Sequence, residues 1–159
     1  MLDATIPPQN WRLSVDGSEA AELLGRNLVE TETYTIVAST ERKAIETAAA
    51  ITRVPATTND AFCEVTRPWY DDAGTLERHV AGWFTGAPVK GWEAFADAVA
   101  RFARGVGEYD QDNLIVVTHA TIMTAWLASI GLVEDTMAFW TELRMPDAWE
   151  VGRTLKRCP

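Results

Sequence analysis

The chain has 159 residues, 47% hydrophobic and 23% charged, with seven tryptophans; this composition excludes a disordered chain and predicts a single domain over 1–159 with one core. Its formal charge of −9 excludes the basic face a nucleic-acid partner needs, no run approaches the roughly 18 apolar residues of a membrane span, and MLDATIPPQNW lacks the basic and apolar regions of a secretion signal. Cys63, Cys158, His79 and His119 have no zinc-ligand spacing, so no metal or other cofactor is expected, and a reduced, cytoplasmic setting is the simplest expectation.

Pro7, Pro8 and Gly17 punctuate the opening, so residues 1–13 read as extended or looped. SVDGSEAAELLGRNLV then places Ala20, Leu23, Leu24 and Leu28 on one face of a helix, with Ser14 or Ser18 as N-cap and Gly25 as a cost. YTIVAS, 34–39, is a short β-rich run, and ERKAIETAAAIT follows at once with Ala44, Ala48 and Ile51 at helical spacing.

Residues 55–75 form an irregular stretch around Glu64 and Trp69, and 55–90 as a whole reads as a loop and cap over a site. Within it LERHVAGWF is a short helix. WEAFADAVARFARGV carries Trp92, Phe95, Val99, Phe102 and Val106 on a core-facing stripe. LIVVT is a continuous apolar run of the kind found in a strand covered on both faces, and ATIMTAWLASIG is a helix closed at Gly131. MAFWTELRM and AWEVGRTL flank a Met-Pro-Asp turn and are expected to pair as an antiparallel ribbon. Strands alternating with helices predict an α/β fold with a mostly parallel sheet.

In such a sheet, ligands sit at the carboxyl ends of strands, where helix N-termini favour anions. His119 falls there, after LIVVT and before the ATIM helix. It is either a histidine that caps and packs the turn or a ligand-facing group. The turn at ASTERKA repeats the arrangement, and Arg42 and Lys43 stand in the first turn of a helix, where cations are disfavoured. A phosphate shared by the two turns would explain them; solvated surface cations are the plainer reading. Glu64, in AFCEV, is a candidate general acid or a solvated loop carboxylate. Ser39 has no evident base in the sequence to make it a nucleophile.

Taken together, WRLSVDGSEA at 11–20, ASTERKAIETA, Glu64, WEAFADAVARF and VVTHA resemble, in order and spacing, the histidine phosphatase superfamily, also called phosphoglycerate mutase-like, over about residues 7–150. The resemblance implies a three-layer α/β/α sandwich and phosphoryl transfer through a phosphohistidine, with a phosphorylated small molecule or free phosphate as partner. It implies that His119 is the second, supporting histidine, that Glu64 protonates the leaving oxygen, and that Lys43, with Arg42 and Ala120, binds phosphate. Lys43 stands where the family has arginine, which keeps the charge but loses the planar fork.

The family's nucleophilic histidine lies in an Arg-His-Gly motif at the end of a first, central strand. Neither motif nor strand occurs in these 159 residues. The expectation is therefore a phosphatase-like pseudo-enzyme, inactive as written, with a non-catalytic phospholigand-binding or protein-interaction module as the alternative. A sheet without its first strand leaves edges to be closed, so a homodimer through a sheet edge or strand exchange is also expected. Trp69, Tyr70, Trp83 and Phe84 suggest an apolar lid.

Overall fold

The computed structural model describes residues 6–28, 34–53, 55–110 and 113–158. Three parallel strands, β1 (Thr35–Ala38), β2 (Thr57–Thr58) and β3 (Leu114–Val117), lie in the order β2-β1-β3. Register pairs Ile36 with Ile115, Val37 with Val116 and Ala38 with Val117, so side chains on each pleat face coincide across the two strands.

That alternation divides the core. Ala38 and Val117, with Ile36 and Ile115, pack on Ala44 and Ala48 of α2 (Arg42–Thr52). Val37 joins Phe62, Val65, Trp83, Phe102, Ile122 and Ala125, with Leu114 and Val116 against that cluster. Apart from the strand residues Val37, Leu114 and Val116, these come from α3 (Ala73–Phe84), α4 (Phe95–Gly107), α5 (Ala120–Ser129) and the loop before α3. The result is a three-layer α/β/α arrangement with a parallel sheet, as the alternating elements require.

The helix α1 (Val15–Leu28) packs on α2 through Ala21 and Gly25 rather than through the predicted face, and Leu23 is exposed. Gly25 is the reason: a Cβ there would come within 2.7 Å of Ile51 Cα and closer to its carbonyl oxygen. The glycine permits contact between two helix backbones, and this outweighs its propensity cost. Ser14, not Ser18, serves the helix start, its Oγ accepting from Gly17 N at 3.0 Å.

At its far end, α5 closes with Gly131 at φ +77, whose N–H bonds to Ala128 O at 3.0 Å while Leu132 N reaches Leu127 O at 3.0 Å, as the Gly131 stop predicts. The following run departs from expectation. Thr136–Glu142 is a helix, α6, started by Asp135, whose Oδ1 accepts from Ala138 N at 2.9 Å. The antiparallel ribbon lies wholly after the Met-Pro-Asp turn, between β4 (Trp149–Val151) and β5 (Leu155–Arg157). An Asx cap decided against β pairing for a segment rich in aromatics.

LIVV reads as a strand covered on both sides, yet Leu114, Ile115 and Val116 are only partly buried. Among the described residues β3 is hydrogen-bonded to β1 alone and β4 to β5 alone. Between β3 and β4 lies a cleft of about 1320 Å³. No described helix is long and apolar enough to cross a membrane.

Candidate functional site

The carboxyl ends of β1 and β3 bring the ASTERK and THAT turns together, because the register places Ala38 beside Val117. Ser39 N donates to Val117 O at 2.8 Å, which ties the two turns at their base. His119 follows in extended backbone conformation at the N-cap position of α5. Its ring does not cap the helix. It turns back across the sheet, where Nε2 lies 2.8 Å from Ser39 Oγ and 3.5 Å from Glu41 Oε1.

The anion at the N-terminus of α5 is Glu64. Its Oε1 accepts from Ile122 N at 3.1 Å and from Val65 N at 3.0 Å, and its Oε2 accepts from Thr121 N at 3.3 Å. A loop carboxylate thus takes the helix-end amides that the sequence reading assigned to a bound ligand. Ala120 is the first residue of α5 and lines the cleft beside His119.

Lys43 is also answered from within the chain. Its Nζ lies 2.6 Å from Glu41 Oε2 and donates to Pro8 O at 3.3 Å. Arg42 points elsewhere: its Nε meets Glu46 Oε1 at 2.9 Å on a surface shared with Arg12, and it does not line the cleft. The two cations in the first turn of α2 are therefore balanced by carboxylates of α2 and the turn before it, and only Lys43 faces the site.

Glu41, which sequence reasoning passed over, is the hub. It is 7% exposed, and besides Lys43 and His119 its Oε1 accepts from Glu64 N at 2.9 Å. Burial works against its ionisation, but the facing His119, the Lys43 ammonium and the Glu64 amide hold its carboxyl below the ordinary carboxylate value. For His119, burial dominates and pushes the imidazole below its ordinary value; the Glu64 and Glu41 carboxylates oppose this, and Lys43 and Arg101 reinforce it. At neutral pH the ring is neutral. With two acceptors around Nε2, the tautomer with the proton on Nε2 fits the surroundings.

Ser39 does have a basic neighbour, contrary to the sequence reading, since His119 reaches it across 80 residues. The hydroxyl is nevertheless fully buried, accepts from Glu41 N at 3.1 Å and donates to Cys63 Sγ at 3.4 Å. Its position suits a brace for the imidazole better than an attacking group. His79 is remote from this arrangement: its Nδ1 bonds to Thr75 O at 2.8 Å and its ring stacks on Tyr70 at 4.8 Å.

The loop bearing Glu64 is held by Arg101, a second residue outside the predicted set. Its Nη1 donates to Ala61 O at 2.7 Å and Cys63 O at 3.1 Å, while Nε and Nη2 grip both oxygens of Glu93 at 2.9 Å. Glu41 stood next to two flagged cations, a signal that could have found it. Arg101 sits beside the apolar stripe of α4, and nothing local reveals its partners. At the cleft mouth Trp11 and Trp69 meet edge to face at 4.7 Å. Among the described residues no group of three metal-ligating side chains is arranged to hold an ion.

The sequence model of the histidine phosphatase superfamily (branch 1) matches residues 6–148. Among solved structures, the chain is similar to TTHB049 from Thermus thermophilus, with 17% identity and a TM-score of 0.72 over 92% of this chain and 84% of that one. It is similar to Bacillus stearothermophilus YhfR, with 19% identity and a TM-score of 0.66 over 94% and 84%. It is also similar to mycobacterial glucosyl-3-phosphoglycerate phosphatase Rv2419c in complex with inorganic phosphate, with 21% identity and a TM-score of 0.62 over 87% and 78%. These likenesses show the fold. No curated relative matches the chain in sequence.

Proposed function

The chain belongs to the histidine phosphatase superfamily, and from that membership we propose that the joined ends of β1 and β3 form a phosphoryl-binding site for phosphomonoesters, which these residues by themselves do not turn over. The observation that carries the binding half is the convergence of His119 Nε2, Lys43 and the start of α5 at one end of a parallel sheet. The neutral imidazole offers an N–H, Lys43 offers one point charge, and a phosphoryl oxygen arriving there exchanges the internal carboxylate contacts for its own. The phosphate-bound mycobacterial relative supports inorganic phosphate as the probe.

Turnover is withheld because the family's phosphohistidine route pairs a nucleophilic histidine with the supporting one that His119 matches, and His79 is committed to the aromatic stack on α3. Trp11 and Trp69 at the mouth, within the 55–90 cap region for Trp69, favour an ester whose alcohol part is apolar.

Titration with inorganic phosphate, followed through the His119 ring proton signals, tests this. Saturable shifts that vanish in Lys43→Ala, with no hydrolysis of a generic aryl phosphate above buffer, are expected. No response to phosphate or vanadate overturns the binding assignment. Aryl phosphate hydrolysis that His119→Ala abolishes overturns the inactivity.

A further inference from the structure

Glu41 stands between the two side chains that the phosphoryl reading offers to a ligand. Its Oε2 lies 2.6 Å from Lys43 Nζ, and its Oε1 lies 3.5 Å from His119 Nε2. All three residues line the cleft. An anion bonded to both Lys43 and His119 therefore rests against the Glu41 carboxylate.

This carboxylate neither turns away nor readily loses its charge. Its side chain is 8% exposed, and its Oε1 accepts from Glu64 N at 2.9 Å. Burial opposes its ionisation, yet His119, Lys43 and the Glu64 amide hold its carboxyl below the ordinary value. Among the described residues Oε2 accepts from Lys43 alone. The neighbouring Glu64 differs, because its Oε1 is bonded to Val65 N and Ile122 N and its Oε2 to Thr121 N.

When a ligand takes Lys43, Glu41 Oε2 becomes a buried acceptor without a donor, and a bare ligand oxygen beside it adds a like charge. A ligand O–H reverses both effects. It donates to Oε2 in the place that Lys43 left, and a bond from O–H to an ionised carboxylate is of the short, strong kind.

We propose that Glu41 is a specificity-determining residue that accepts the O–H of a singly protonated phosphoryl group. The site then takes hydrogen phosphate, or a phosphomonoester as its monoanion. It discriminates against sulfate, which matches hydrogen phosphate in shape and charge but has no proton to donate. The assignment rests on the phosphoryl-binding reading and adds to it the protonation state of the ligand. Hydrogen phosphate brings its own proton, whereas a monoester dianion gains one from solvent as it binds. Lys43 and His119 select for negative charge, and Glu41 selects against anions that cannot donate.

The test is calorimetry of the full chain at about pH 8 with inorganic phosphate, sulfate and a generic aryl phosphate, in two buffers of different ionisation heat. There phosphate retains one proton and the aryl ester is mostly the dianion. Phosphate should bind at least about tenfold tighter than sulfate, without net proton uptake. The aryl ester should take up about one proton on binding. In Glu41→Gln the like charge is gone, so sulfate should gain more than phosphate and the preference should shrink to about twofold or less. The comparison of anions on the native chain does not depend on how the variant folds. The proposal is overturned if sulfate matches phosphate on the native chain, if the preference survives in Glu41→Gln, or if the aryl ester binds without proton uptake. If none of the three anions binds, the phosphoryl reading falls and this assignment with it, a result distinct from binding without discrimination.

Discussion

Lys43 Nζ lies 2.6 Å from Glu41 Oε2, so the cation at the start of α2 that faces the site is already held by a buried carboxylate of the preceding turn. An incoming phosphoryl group must compete with Glu41 for Lys43 and approach a like charge. Glu41 therefore weakens anion binding at this site, through a contact that a single substitution can remove.

Replacing that carboxylate with its neutral isostere is the direct test. Glu41→Gln keeps an acceptor for Glu64 N and frees Lys43. Phosphate should bind about five- to tenfold tighter, or roughly 1 kcal/mol, as measured by calorimetry. Unchanged or weaker binding would remove Glu41 from this role.

Acid should destabilise the fold in two steps. His119 has a folded-state pKa below its ordinary 6.5, so the unfolded chain binds its proton first. This contribution is fully present above pH 6.5 and is lost as pH falls through the lower folded value. Glu41, lowered from 4.5, likewise contributes above its unfolded value and loses that contribution below it. The urea midpoint should therefore fall between about pH 7.5 and about pH 5.5, and His119→Asn should flatten this change. An equal slope in the variant would assign the dependence to other groups.

Gly25→Ala should destabilise the chain by about 2–3 kcal/mol, although alanine is the better helix former. The added methyl meets the Ile51 backbone, which cannot rotate away as a side chain can. Urea denaturation measures the loss, and a neutral or stabilised variant would mean that α1 and α2 separate freely.

Arg101→Met should cost about 2 kcal/mol, since it leaves Glu93 and the carbonyls of Ala61 and Cys63 without their donor. Because these carbonyls belong to the loop that ends in Glu64, amide exchange at Thr121 and Ile122 should also quicken. Arg101→Lys should restore little, as it lacks the fork. Loss of stability with unchanged exchange at those amides would confine Arg101 to a packing role.

The sequence by itself determined the local order of the fold: the β1–α2 and β3–α5 pairs, the Ala44, Ala48 and Ile51 stripe, the stop at Gly131, and the placement of His119 at a strand end. Such features are written in spacings of two to four residues, which backbone geometry reads directly. α6 escaped because a single Asp135 cap overrode an aromatic, β-favouring run.

Tertiary structure alone decided what the site is made of. Ser39 and His119 meet across 80 residues, and Glu64 reaches the amides of α5 across 57 and 58. Both depend on the pairing of Ala38 with Val117, which no local pattern specifies. Buried polar groups take whichever partners that register brings within reach, since leaving one unpaired is costly. For this reason Lys43, Glu64 and His119 could be named as candidates from the sequence. Only the packed sheet showed that Glu41 and the amides of α5 occupy them, and that among the described residues β3 pairs with β1 alone.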